Sequence, residues 1–270
     1  MQIFDTTLRD GLLSKKVHLA LKEKIKIAQL LDRAGIEVIE IAHILKKEFD
    51  DEIEIGQAID PGKICVLVDT KPANLLRALD FMQATHADMV HIYSMANIKE
   101  HEVDLRTKEI DDAVKLVKDH VKTVRWAGFD GNRAEYNLFK PQILQAAASG
   151  AKVISIPDSF GVNSPAEFAN ILTRIISDWE DKGPKFAVHC HDDLGFAVEN
   201  SVAAANLGVY QVEMTLGGVG ARKGNCNLSQ FLKKTSLTDR YNFDLIQQAE
   251  KIVSNAIRTP AFQTPGAESI

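Results

Sequence analysis

The feature that most restricts this 270-residue chain is a strand-then-helix alternation that recurs eight times. The strands read as short apolar runs: QIF at 2–4, IEVIEI at 36–41, KICVLV at 63–68, ADMVHIYS at 87–94, TVRWAGF at 123–129, AKVISIPD at 151–158, KFAVHCH at 185–191 and YQVEMTL at 210–216. Stretches with helical spacing separate them, at 19–34, 50–59, 71–83, 104–120, 135–148, 164–178 and 195–207, and another follows at 243–257. In the first, Ile25, Ile27, Ala28 and Leu31 recur at helical spacing; in 104–120, Leu105, Ile110, Val114 and Val117 read as one side. AGIEVIE, SGAKVIS and LGVYQVE repeat one junction, a helix-stop glycine (Gly35, Gly150, Gly208) running straight into a strand. Parallel strands separated by helices form an open doubly wound sheet or a closed barrel. Eight strands with a repeated junction favour the α/β (β/α)8 TIM barrel, as one domain over residues 1–258 with a tail at 259–270.

The composition narrows the partners. With 45% apolar residues, 26% charged residues and a net charge of −5, the chain has no long basic run to neutralise phosphates, so nucleic acid is not expected. No stretch approaches the roughly 18 apolar residues of a membrane span, and no basic-then-apolar leader opens the chain. Cys65, Cys190 and Cys226 are odd in number and form no CxxC pair, which reads as reduced thiols in a cytoplasmic protein.

In such a barrel, chemistry belongs at the carboxyl ends of the strands. Standing there are Arg9 and Asp10 after the first strand, Glu40 and His43 at the second, His91 and Tyr93 at the fourth, and Asp130 and Arg133 after the fifth. Asp158 and Ser159 follow the sixth, His189 and His191 end the seventh, and Thr215 with the Gly217–Gly224 loop follows the eighth. In HCH at 189–191, residues two apart point the same way, so both imidazoles face the mouth and Cys190 faces the helices. With Asp10 they make a two-histidine, one-carboxylate set suited to a divalent first-row ion with open positions for substrate. Two histidines hydrogen-bonded at a strand end, with no metal, would look the same. Asp10 at the end of the first strand, which closes a barrel beside the eighth, and the glycine-rich GGVGARKGN loop next to both favour the metal.

DTTLRDG at the start, IPDSFG at 156–161, HCHDDLGFAVENSVAAANLG at 189–208 and TLGGVGARKGNCNL at 215–228 resemble the HMG-CoA lyase-like superfamily of metal-dependent barrels. The similarity is greatest to its isopropylmalate, homocitrate and citramalate synthase branch, through PDSFG before a proline-led helix and HIYSMANIKEH at 91–101. The resemblance implies that Asp10, His189, His191 and Asn225 bind a divalent metal (Mg, Mn, Zn or Co), Asn225 through its side-chain oxygen. It implies that Arg9 stabilises negative charge developing on a carbonyl and that Glu40 fixes Arg9 or the metal shell. His91 and Ser159 would line a 2-oxo acid pocket, and Arg133 would lie at its rim. The implied activity is condensation of a 2-oxo acid with acetyl-CoA in amino-acid biosynthesis. The alternatives are cleavage of a hydroxy acid or hydroxyacyl thioester and an altered metal-binding barrel, and a homodimer is the expected assembly.

Departures from the pattern point to an altered substrate or reaction. Leu12 and Leu13 replace a polar pair after RDG, Phe129 stands where synthases carry a glutamate on the fifth strand, and Ala221 replaces the glutamate of the GxGER loop. A catalytic barrel alone, without the subdomains of the leucine-pathway synthases, is expected. The lyase signature GGCPYA is absent, and Cys226 reads as a packed thiol. His18 and His43 are expected at the surface or behind the site, and His86, His101 and His120 in solvent. Lys15–Lys16 and Lys46–Lys47 read as solvated pairs, with attraction of a phosphate-bearing coenzyme A as the other reading.

Overall fold

A computed structural model describes residues 1–45, 49–179 and 183–257; the tail at 259–270 and Lys46–Lys47 lie outside the described residues. Eight strands, β1 (Gln2–Asp5), β2 (Val38–His43), β3 (Ile64–Asp69), β4 (Met89–Met95), β5 (Thr123–Phe129), β6 (Val153–Asp158), β7 (Lys185–Cys190) and β8 (Gln211–Met214), pair in sequence order and close into a barrel. All pairs are parallel, and β8 closes on β1 with Gln2 opposite Gln211 and Asp5 opposite Met214. The (β/α)8 barrel expected from the alternation is therefore the fold.

The helices are α1 (Leu21–Ala34), α2 (Asp50–Gln57), α3 (Pro72–Thr85), α4 (Val103–Val117), α5 (Tyr136–Ser149), α6 (Pro165–Ser177), α7 (Ala197–Asn206), α8 (Leu228–Lys234) and α9 (Phe243–Asn255). Their ends follow local chemistry. Ser164 caps α6, its hydroxyl accepting from Glu167 N while Glu167 reaches back to Ser164 N, and Pro165 opens the first turn. Gly35 ends α1 at φ 92°, a conformation that favours glycine. The seven-residue α8, capped by Asn227, is too short for a periodic signal and is not expected from sequence. Leu105 is a correction: it is 62% exposed, while Ile110, Ala113, Val114 and Val117 are buried. Five residues turn an α-helix by roughly 140° relative to the starting face, which takes Leu105 off the stripe.

Alternation divides the strands. One set of side chains joins the helices in the main apolar core, for example Ile3, Ile39, Val66, Ile154 and Val212. The other set points into the barrel, where Phe4, Val38 and Cys65 form a separate small cluster with Met89 packed on it. The Arg125 guanidinium lies 4.3 Å from the centre of the Phe4 ring, so the lumen turns polar just above this plug. All three cysteines are free and buried. No described helix is long and apolar enough to cross a membrane.

Candidate metal centre and active site

Barrel closure brings Asp10, His189 and His191 together, with ligand atoms all within 4.8 Å of one another and all three residues buried. His191 Nε2 lies 3.2 Å from His189 Nε2, and Asp10 Oδ2 is 3.8 Å from His189 Nε2. The groups behind the rings decide what those nitrogens carry. His191 Nδ1 is 3.1 Å from the Gly224 carbonyl oxygen, which can only accept, so Nδ1 holds the hydrogen and Nε2 is bare. His189 Nδ1 faces Glu213 Oε2 at 3.2 Å, an ion-pair contact off ideal hydrogen-bond geometry, and the carboxylate favours the same tautomer. Two lone pairs then face each other in a buried site, an arrangement that needs a cation between them.

Asn225 completes the cradle. Its amide nitrogen donates to Asp10 Oδ1 at 3.0 Å and to the Val219 carbonyl at 3.2 Å, while its Oδ1 is buried with no hydrogen-bond partner among the described residues. Gly220 permits this approach, since a Cβ there would fall 2.0 Å from Asn225 Nδ2. Two bare imidazole nitrogens, a carboxylate and an orphaned amide oxygen fit a divalent ion.

Electrostatics agree. Burial works to raise the Asp10 pKa, but the Arg9 guanidinium and then His189 and His191 outweigh it and hold the carboxyl well below its usual range. Burial opposes charge on His189, yet Glu213 and Asp10 raise its pKa; burial and then His189 pull His191 down to about 3. Glu213 and Asp10 thus favour positive charge at the His189 ring, the place a bound cation would take, and metal binding would release any proton held there.

Arg9 stands beside this set. Its NH1 donates to Asp10 Oδ2 at 2.6 Å, and its Nε donates to Glu40, whose other oxygen is 3.0 Å from His91 Nδ1. Burial alone would raise the Glu40 pKa; Arg9 and then His91 hold it low. The neighbouring cavity, about 240 Å³, is lined by His91 and Ser159, and also by Leu13, Phe129 and Arg222.

Two expectations are corrected. Arg133, expected at the rim, lies outside this lining: it is exposed, grips Asp130 with two bonds at 2.6 and 2.7 Å and stacks 4.3 Å from the Phe160 ring centre. The short turn Gly131–Arg133 folds it back on its own loop, and Arg222, held by Asp193 and the Ser159 carbonyl, lines the cavity. His43, expected at the surface or behind the site, lines the cavity itself. His18, His86, His101 and His120 are exposed. Sequence reasoning also passes over Glu213 and Arg125. Glu213 accepts from Arg125 NH2 and Ser155 Oγ, each at 2.8 Å, besides facing His189. The available signal is a charge in the middle of each buried strand pattern, VEM and VRW.

The fold and this geometry define a (β/α)8 barrel whose mouth presents a buried two-histidine, one-carboxylate set next to an arginine. Residues 1–253 match the HMGL-like family model, and the chain belongs to the HMGL-like family. Among curated relatives, 2-isopropylmalate synthase of Proteus mirabilis is 30% identical over 276 residues, covering 96% of this chain and 53% of that protein. The Vibrio cholerae enzyme of the same name is 31% identical with the same coverage. The chain thus spans about half the length of the curated relatives it matches. Among solved structures, hydroxymethylglutaryl-CoA lyase from Pseudomonas aeruginosa superposes with a TM-score of 0.78 at 15% identity, covering 96% of this chain and 93% of that one. The N-terminal domain of a putative aldolase from Bacteroides vulgatus also gives 0.78, at 19% identity and coverages of 94% and 86%.

Proposed function

We propose that the barrel, residues 1–258, is a divalent-metal-dependent enzyme that forms or breaks a carbon–carbon bond at a 2-oxo acid. The first reading is condensation of a 2-oxo acid with acetyl-CoA, supported by the synthase relatives. The observation that carries the proposal is the pair of convergent imidazole nitrogens beside Asp10, with Arg9 fixed next to them.

Asp10, His189, His191 and Asn225 Oδ1 would hold the metal. A bound divalent ion would supply Lewis-acid polarisation of the substrate carbonyl and a point of chelation for its carboxylate. Arg9 brings a second, permanent positive charge to where negative charge accumulates, worth ~3–4 kcal/mol of barrier if it acts like other preorganised donors. Glu40 holds the guanidinium in place, and His91 and Ser159 face the bound acid. Leu13 and Phe129 give this pocket an apolar wall.

That wall also supports a second reading, cleavage of a hydroxy acid, because Phe129 cannot take a proton from an acetyl group. The two are separated by incubating the protein with Mg²⁺ or Mn²⁺, acetyl-CoA and a panel of 2-oxo acids, then with a panel of hydroxy acids. Condensation releases free thiol; cleavage releases a 2-oxo acid. Silence in both panels would overturn the proposal.

A further inference from the structure

Of the four imidazoles that line the cavity, one has no task in the proposed function. His43 sits at the end of β2, partly buried, with its ring edge-on to Tyr93 at a centroid distance of 5.4 Å. Its Nε2 is buried without a hydrogen-bond partner among the described residues. A buried imidazole nitrogen left unpaired is unfavourable unless something bound in the cavity completes it.

The other ionisable groups here, apart from Tyr93, are engaged. Asp10, His189 and His191 form the metal set, Glu213 is bound to Arg125 and Ser155, and Arg9 is bound to Glu40 and Asp10. His91 is the nearest rival, since its Nε2 is also buried and unpartnered. Its Nδ1, however, is tied to Glu40, the carboxylate that also holds Arg9. Protonating and deprotonating His91 would disturb the arginine; His43 has no such tie to a carboxylate.

We propose, building on the 2-oxo acid reading above, that His43 Nε2 is the proton-transfer group of the carbon–carbon step, in place of the carboxylate that Phe129 does not provide. In condensation, Nε2 removes a proton from the carbon beside the thioester carbonyl. The electron pair of that C–H bond forms the new C–C bond to the 2-oxo carbon, the carbonyl π pair moves onto oxygen, and His43 returns the proton there to give the hydroxyl. In cleavage, His43 takes the hydroxyl proton, the O–H pair becomes the C=O bond, the C–C pair moves to the departing carbon, and the same proton ends on that carbon. The carbon–carbon step consumes no other reactant in either direction; the free thiol read in condensation comes from the hydrolysis that follows, in which water gives its OH to the acyl carbon as the C–S bond breaks and its proton to the departing thiolate.

The surroundings keep this base ready. Burial, then Arg9, lower its pKa against the opposing Glu40, Asp69 and Asp10; Tyr93 on β4 is the remaining ionisable neighbour. The imidazole is thus neutral at pH 7.

The test is hydrogen–deuterium exchange of the methyl protons of pyruvate and of acetyl-CoA in D₂O with the Mg²⁺-loaded protein, followed by proton NMR. The variants are His43→Gln, His43→Phe, which keeps a ring against Tyr93, and His91→Gln. Mn²⁺ affinity by calorimetry and thermal unfolding accompany each. The expected result is exchange by the wild type, about 10²-fold slower or worse in both His43 variants, with Mn²⁺ affinity and melting unchanged. Exchange at the wild-type rate in the His43 variants would overturn the role while leaving the 2-oxo acid reading intact. So would loss confined to His91→Gln, or loss that tracks weakened metal binding or early melting. A wild type that exchanges neither compound would overturn that reading and this role with it.

Discussion

Replacing Glu213 by glutamine changes one atom of a buried carboxylate, yet its effects reach both the metal set and the stability of the barrel. Oε1 accepts from Arg125 NH2 and Ser155 Oγ, and Oε2 faces His189 Nδ1. An amide has only one oxygen. If it stays with Arg125 and Ser155, the new NH₂ points at His189 Nδ1, which must then accept, and the ring hydrogen moves to Nε2, the atom that would hold the metal. Loss of a partner behind a ligating histidine typically weakens metal binding 10–100-fold, equivalent to ~1.4–2.7 kcal/mol. Arg125, 1% exposed, also loses the carboxylate it is paired with, although the amide oxygen still accepts from it. Breaking a buried pair outright costs ~3–5 kcal/mol, so the lower end, ~3 kcal/mol, applies here. That corresponds to a melting decrease of ~6–12 °C for a domain of this size. Calorimetric titration of metal-free wild type and Glu213→Gln with Mn²⁺, alongside thermal unfolding, reads both effects. A variant that melts early but binds Mn²⁺ with wild-type affinity would refute the tautomer argument.

Three further outcomes are expected. Gly220→Ala places a Cβ against the Asn225 amide, so Mn²⁺ affinity falls at least tenfold while far-ultraviolet circular dichroism is retained; unchanged affinity would remove Asn225 from the metal set. Arg9→Met lowers turnover about 10²–10³-fold, measured by thiol or 2-oxo acid release, and turnover within tenfold of wild type would remove Arg9 from charge stabilisation. Asp5 is buried, and burial pushes its carboxyl from 3.8 up to about 7 against the opposing Thr7 hydrogen bonds. Between those values the folded state holds a proton that the unfolded state has lost, so this group's contribution to stability falls as pH rises from about 4 to about 7. Asp5→Asn removes that slope, and urea unfolding of both proteins across this range should differ accordingly; parallel curves would contradict it.

How much of the fold and site is legible in the sequence depends on whether a signal is local. The strand-helix alternation is local, because period and turn chemistry act over a few residues, and with eight strands and a repeated glycine junction it favours the barrel over an open sheet. The His189–His191 pair is legible for the same reason: in a strand, side chains two apart share a face. Helix α8 is not, since seven residues carry too little periodicity.

Tertiary structure decided what stands beside what. Asp10 and Asn225, 215 positions apart, meet because β8 closes on β1. Glu213 and Arg125 look like charges misplaced in apolar strands until the lumen pairs them across 88 positions. Arg222, for which no place is expected from sequence, lines the cavity because Asp193 and the Ser159 carbonyl hold it there, while a short turn folds Arg133 onto Asp130. His43 enters the site only because β2 ends at the mouth with that side chain lining the cavity. The sequence by itself determined the strand-helix order that favours a barrel and the His189–His191 pair with Asp10, which come from local periodicity and residue chemistry; Asn225 was legible only through the family resemblance. The partners that set tautomer, charge and access were decided by closure, which joins residues that no local pattern relates.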